Sequence, residues 1–256
     1  MDSSITTVGF LYPGHSAEDD YPTARTLLAE CAGPDTGPAP ELRVVHTEMA
    51  VDAHRVPDLR RIGADRVLAE GARELGQVSS VIWACTSGSF VFGWDGASAQ
   101  VGALSVAAGA PASSTSFAFA DAAARLGLKR VAVAATYPDD VAALFVDFLG
   151  VAGIEVVRLS SLGIVTAAEV GTLGRERVLG LAREGDHPDA DAVLLPDTAL
   201  HTTAWLAELE RELDKPVLTA NQVSIWQGLR LAGDRVPRRG LGSLFEESPA
   251  DETAGA

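Results

Sequence analysis

A thiol followed by two hydroxyls, at Cys85, Thr86 and Ser87, stands directly behind the apolar run 81–84, and Gly88 comes next. A buried strand that stops in this way leaves those three side chains at its carboxyl end, the edge where open α/β sheets hold their ligands. A helix beginning near Gly88 or Ser89 would aim unpaired N–H groups at the same point, favouring an anion there and thiolate over thiol at Cys85. One short segment then offers an anion cradle together with a nucleophile or base. Each residue also has a plain structural reading: Cys85 as a core thiol, Thr86 and Ser87 as caps of the following helix. A second polar strand end lies at Pro196, Asp197 and Thr198, where Asp197 is either a general acid or base or a helix cap. Tyr137, between Thr136 and Pro138, is either a hydrogen-bond donor or a ring packed beside the proline. His15 and His201 follow strand ends closely enough to reach the same region. His46 and His54 stand as background, and Cys31 falls on the apolar face of a helix, so it reads as core.

Elements able to position these groups are plentiful. The chain has 256 residues, 47% of them hydrophobic, enough for one large domain or two of ordinary size. No apolar run approaches the roughly 20 residues of a membrane span, and the N-terminus lacks the features of a signal peptide, so a soluble, cytoplasmic protein with no membrane partner is expected. Two cysteines exclude a disulfide framework and a four-cysteine zinc site. No His, Cys or carboxylate pair recurs at ligand spacing, so no metal is expected. A formal net charge of −15 without a Lys/Arg cluster argues against a nucleic-acid partner, while a small anion remains acceptable in a cleft with local donors. The absence of G-x-G-x-x-G and P-loop patterns leaves no reason to expect a nucleotide, and no cofactor is expected.

Pattern and punctuation predict strands at 7–11, 42–47, 81–84, 111–115, 131–135, 154–159, 192–195 and 217–219. Helices are predicted at 20–31, 56–75, 97–108, 117–126, 138–149, 166–181 and 203–213, with a last one to residue 231 capped by Asn221. Residues 33–40, rich in proline and glycine, are loop. From 238 to 256 the chain is polar and acidic with only Leu244 and Phe245 to anchor it, and a disordered tail is expected there. Two halves share one plan. The strand closing at Tyr12 and Pro13 matches the one before Tyr137 and Pro138, the end at Cys85 matches the end at Asp197, and 111–115 matches 216–220. Alternating strands and helices with short connections mean parallel βαβ units. The fold class is therefore α/β: two similar Rossmann-like domains, 1–115 and 116–220, related by pseudo-twofold symmetry. The helix near 221–233 packs back on the first, and a cleft between the domains is lined by Cys85 and Asp197.

At these motifs the sequence resembles the cofactor-independent Asp/Glu racemase superfamily, in the branch of maleate cis-trans isomerases and arylmalonate decarboxylases. The carriers are 83–90 around Cys85, 136–138, 195–200 around Asp197, and 215–222, and the likeness extends over roughly 7–233. The resemblance implies two positions flanking the substrate, one per domain; racemases carry cysteine at both. Cys85 sits at the first, and Asp197 departs from the cysteine expected at the second. It further implies that Thr86, Ser87 and Tyr137 donate to a substrate carboxylate, with Pro13, Gly14, His15 and Thr198 beside it, although Gly14 and His15 replace the Ser-Asn pair of isomerases. The leading expectation is an isomerase of the maleate type acting on a small dicarboxylate. Cys85 thiolate adds to the double bond, the new single bond rotates, elimination releases the other isomer, and Asp197 manages the proton. A decarboxylase or racemase on the same cradle, or a carboxylate-binding protein without turnover, are the alternatives; a homo-oligomer is compatible with all of them.

Overall fold

The computed structural model describes residues 5–14, 16–33 and 36–246. It contains two four-stranded parallel sheets of matching strand order, each covered by helices. The first joins β2 (Glu41–Thr47), β1 (Thr7–Pro13), β3 (Ser80–Trp83) and β4 (Ala112–Ser114) in that order. The second repeats the order with β6 (Glu155–Ser161), β5 (Arg130–Ala135), β7 (Ala192–Leu195) and β8 (Val217–Thr219). Strands β1, β3, β7 and β8 are buried along their whole length. This is why they read as unbroken apolar runs: a parallel sheet covered on both faces has no wet side to alternate with. β6 lies at an edge and shows it, with Glu155, Arg158 and Leu159 exposed.

Helix α1 (Asp20–Glu30) crosses from β1 to β2. The single long helix expected over 56–75 is two, α2 (Val56–Ile62) and α3 (Asp65–Leu75). Gly63 at the break packs against the Gly88 carbonyl so closely that a Cβ there would collide with it. Gln100 Nε2 ties the two segments together, donating to Gly63 O at 2.7 Å and Gly88 O at 3.0 Å. After β3 comes a single turn, α4 (Ser87–Phe90), and then α5 (Gly93–Ala108). Helix α6 (Thr115–Arg125) leads into β5, and α7 (Asp139–Val151) connects β5 to β6. The helix expected over 166–181 is also split, into α8 (Ala167–Val170) and α9 (Arg175–Gly185), where glycines at 171 and 174 bracket the gap. A 3-10 turn (Thr203–Trp205) opens α10 (Leu206–Leu213).

Helix α11 (Ala220–Leu231) packs on the first sheet and on α6, with the Gly228 backbone against Val8 and Ser80 Oγ donating to Gly228 O at 2.7 Å. Its cap is Thr219, in a reciprocal capping box with Gln222, and not Asn221 as expected. The tail needs a larger correction. Residues 238–246 are packed, ending in α12 (Ser243–Glu246), with Leu241, Leu244 and Phe245 buried. Gln222 Nε2 donates to Leu241 O at 2.7 Å, and Glu210 accepts from the Ser243 hydroxyl at 2.7 Å, so three apolar side chains and two polar ties hold what composition alone assigned to disorder. The remainder of that expectation, 247–256, lies outside the described residues. Among the described residues no helix is long and apolar enough to cross a membrane.

Candidate active site

The carboxyl ends of β3 and β7 open on one cavity. Cys85 and Ser87 reach it from the first half beside Pro13, and Asp197, Thr198 and Ala199 reach it from the second. The segment after β2 supplies Met49, Val51, Ala53 and His54, which with Leu59 and Ile62 of α2 form an apolar flank. The cavity holds about 400 Å³ of space, part of it open to solvent. Among the described residues no three His, Cys, Asp or Glu side chains are grouped to hold a metal ion.

Cys85 is 4% exposed. The Gly88 N–H donates to its sulfur at 3.2 Å, and Ser87 Oγ lies 3.8 Å away. Burial nevertheless pushes the thiol up to about 12; the Gly88 and Ser87 donors pull against that shift without cancelling it, and the Asp197 charge adds to it. The thiolate expected from the following helix is thus corrected. One turn of helix aligns few peptide dipoles, and a single N–H does not replace the water lost on burial. Burial thus favours the neutral thiol at Cys85.

Asp197, also 4% exposed, uses both oxygens as acceptors. The Ala199 N–H donates to Oδ1 at 2.9 Å, and the Thr136 hydroxyl donates to Oδ2. The Ala199 bond closes a turn, but no helix starts here, the next helical turn having Thr202 as its cap residue, so the helix-cap reading of Asp197 is corrected while the carboxylate lines the cavity. Thr198 lines the cavity, and its carbonyl accepts from Tyr12 Oη at 2.8 Å and from Asn221 Nδ2 at 3.1 Å.

Thr86 is fully buried, its hydroxyl beside the Tyr137 phenol but without a hydrogen bond of normal geometry. Tyr137 is buried too, but its phenol donates to the Pro196 carbonyl at 2.8 Å. Burial above all, then the Asp197 and Cys85 charges, push the Tyr137 phenol upward, so it stays protonated with that proton already engaged. The free donor expected at Tyr137 is therefore already engaged, and neither Tyr137 nor Thr86 lines the cavity. Gly14, with φ of 65°, is not among the lining residues; its carbonyl meets His46 Nδ1 at 2.6 Å. His15 lies outside the described residues. His201 is tied to Asp19 and the Gly171 carbonyl and does not line the cavity.

Three contributors gave no local signal. His54, mere background by sequence, lines the cavity with Nε2 3.9 Å from Asp197 Oδ2. Tyr12 stands at the cavity with its phenol oxygen accepting from the Ala17 N–H at 3.0 Å. Asp20 is buried under the site, where its carboxylate accepts from Asn221 Nδ2 at 2.9 Å and from the Thr203 N–H at 3.0 Å, binding α1 to the second half. Burial raises the Asp20 pKa, and the Asn221, Thr203 and Thr202 donors oppose the rise.

A sequence model of the arylmalonate decarboxylase family matches residues 57–245. An arylmalonate decarboxylase from Bordetella bronchiseptica is 32% identical over 166 residues, 64% of this chain and 69% of that one. A maleate isomerase from Geobacillus stearothermophilus is 27% identical over 137 residues, 53% of this chain and 55% of that one. The solved structure of a Nocardia farcinica maleate cis-trans isomerase with a covalently bound succinylcysteine intermediate superposes with a TM-score of 0.75 at 21% identity, covering 96% of this chain and 100% of that one, a likeness of fold.

Proposed function

The chain belongs to the arylmalonate decarboxylase family, and from that premise we propose that it is a cofactor-independent enzyme that removes CO2 from a small substituted malonate-type acid. The bond from the α-carbon to one carboxyl group breaks, and its electron pair passes into the remaining carboxylate as an enediolate. The Cys85 thiol then returns a proton to the α-carbon, and the thiolate left behind recovers one from solvent by way of the polar cavity floor. The observation that carries this reading is the place of Cys85, lining the cavity beside an apolar flank, and burial there, which pushes the thiol up to about 12, supports it. A buried neutral thiol is a proton donor before it is a nucleophile. Ser87, which lines the cavity beside Cys85, supplies a donor for the enediolate. Leu59, Ile62, Met49 and Val51 provide the apolar flank that a hydrocarbon substituent would occupy.

Cis-trans isomerisation of a maleate-type acid, first in order from sequence alone, is the second reading. The Gly88 N–H, 3.2 Å from the sulfur, favours it, because that bond would stabilise a thiolate formed once substrate is bound. The Geobacillus relative and the succinylcysteine carried by the Nocardia protein support it as well. Racemisation by two thiols fits least, since Asp197 stands where the second would be.

One experiment separates these readings. The protein is incubated in deuterium oxide with 2-alkyl- and 2-arylmalonates, and separately with maleate, under NMR. CO2 loss with one deuterium at the α-carbon, abolished by Cys85→Ala, is the expected result. Fumarate formation would select isomerisation, and no turnover of either class would overturn both.

A further inference from the structure

We propose that Asn221, braced by Asp20, is a positioning residue for Asp197: together with Tyr12 it ties the turn that carries this acid to the frame that carries Cys85. Its role in turnover rests on the decarboxylase reading above. Asp197 and its turn form one body. The Leu200 N–H donates to Asp197 O at 3.2 Å, and the Ala199 N–H donates to Asp197 Oδ1 at 2.9 Å. Backbone and carboxyl group are thus locked together, the arrangement that an aspartate at the first position of a turn favours. The placing of that body is a separate matter, because residues 196–202 belong to no strand or helix. Its own half holds it through the Thr136 hydroxyl at Asp197 Oδ2 and the Tyr137 phenol at Pro196 O. On its other side the turn presents the Thr198 carbonyl.

Both lone pairs of that carbonyl are taken by the frame of the first half. Tyr12 Oη donates to it at 2.8 Å and Asn221 Nδ2 at 3.1 Å. Tyr12 lies near the end of β1, the strand paired with β3, and follows directly on the pairing of Leu11 with Trp83 that leads to Cys85. Asn221 stands in the first turn of α11, which packs on the same sheet. These two donors therefore set where the carboxyl group stands relative to the sulfur. Each donor is itself held. Tyr12 Oη accepts from the Ala17 N–H at 3.0 Å, and burial above all raises its pKa, so the phenol keeps the hydrogen it donates. Asn221 Nδ2 gives its second hydrogen to Asp20 Oδ2 at 2.9 Å. Two acceptors facing one end of the amide assign that end as nitrogen, since the flipped amide would set oxygen against oxygen twice. Asp20 in turn accepts from the Thr202 and Thr203 N–H groups at 3.2 and 3.0 Å, so the brace also reaches the far end of the irregular segment. Asn221 and Asp20 are buried and neither lines the cavity, which leaves them to act through Asp197 and not on the occupant. Asn221 Oδ1 is buried without a partner, a cost that an apolar side chain kept for packing would avoid.

The test has two arms, and the first needs no substrate. Amide hydrogen exchange at Ala199 and Leu200 is followed by NMR in the parent and in Asn221→Ala, with Tyr12→Phe, which removes the other donor, as the second variant should the first not fold. Exchange at both amides is expected to quicken by about tenfold or more, while the amides of β7 keep the parent's rates. Unchanged exchange at Ala199 and Leu200, or equal acceleration throughout β7, would overturn the clamp. The second arm measures kcat and KM on the malonate that is turned over, for the parent, Asn221→Ala, Asp197→Asn and the double variant. Asn221→Ala is expected to lower kcat about tenfold with KM within about twofold, and to lower it no further once Asp197→Asn is present. A residue that serves only the fold lowers kcat alike in both backgrounds, so additive losses would overturn the positioning role. An Asp197→Asn protein as active as the parent would overturn it too. No turnover of any malonate would count against decarboxylation and leave amide exchange to decide the clamp.

Discussion

The ends of β3 and β7 occupy equivalent places in two sheets of the same strand order, yet they are finished differently. At the first, Cys85 is followed at once by a helical turn whose Gly88 N–H reaches back to the sulfur, and the Thr86 hydroxyl is left without a hydrogen bond of normal geometry. At the second, no helix begins until after residue 202, and Asp197 is held by its own half through Ala199 and Thr136. Duplicated topology delivers two side chains to one gap, and the chain just beyond each strand decides the use of each. The β3 end leaves Ser87 at the cavity beside the thiol, whereas the β7 end uses its donors to hold a charge in place.

Removing each side chain in turn breaks the comparison most sharply. Cys85→Ala is expected to lower turnover by about 10³-fold or more, the loss of a general acid from the reacting carbon. Asp197→Ala is expected to cost about 10²-fold, because the donors on the first half remain. Steady-state kinetics on whichever acid is turned over checks the order, and a larger loss from Asp197→Ala would reverse the roles assigned to the two halves.

Much of this asymmetry was legible in the residues. An apolar run stopped by a thiol and hydroxyls, and another stopped by proline and an acid, mark strand ends wherever they occur, so Cys85 and Asp197 could be placed without coordinates. That the two halves share one plan followed from matching those stops; the strand order within each sheet came only from the structure. His54 could not be found this way. It sits in an irregular segment between β2 and α2, and its neighbour Asp197 reaches it only through the packing of one half on the other. Asp20 looks like an ordinary acid in a first helical turn, and its partner Asn221 is 201 residues distant. The helix break at Gly63 has the same origin. The apolar stripe continues across it, and only the approach of the Gly88 carbonyl, from another element, demands the glycine. Thr219 and Asn221 are both good caps two positions apart, and where β8 ends chooses between them.

A smaller effect reports on the sulfur itself. With Cys85 pushed up to about 12, chiefly by burial, the thiolate is scarce at pH 8. Alkylation by iodoacetamide is then expected to be slower than for an ordinary cysteine by about 10²- to 10³-fold, rising with pH well past the point where a free thiol levels off. The sign of the Asp197 contribution is set by its charge. A nearby anion disfavours thiolate, so Asp197→Asn should bring the alkylation profile to lower pH. Mass spectrometry of Cys85 across pH 6–11 measures both, and a plateau near pH 8 would remove the neutral-thiol support for decarboxylation.

The finest distinction lies between two threonines. Thr86 and Thr136 are both fully buried, one next to each half's reactive side chain, but the Thr86 hydroxyl makes no hydrogen bond of normal geometry and the Thr136 hydroxyl is bonded to Asp197. Valine replaces threonine at nearly the same shape, so the substitution asks what each hydroxyl does in the folded protein. Thr136→Val leaves Asp197 Oδ2 short of a donor to a charged group and is expected to cost about 1.5–3 kcal/mol of stability. Thr86→Val removes a hydroxyl that folding has already stripped of water without return. Stability should therefore hold or rise by up to about 1 kcal/mol, and turnover should change little, because Thr86 lies outside the cavity lining. Denaturant melts of the two variants, set beside their kinetics, give the readout. Equal destabilisation at both positions would mean that the Thr86 hydroxyl also serves the fold.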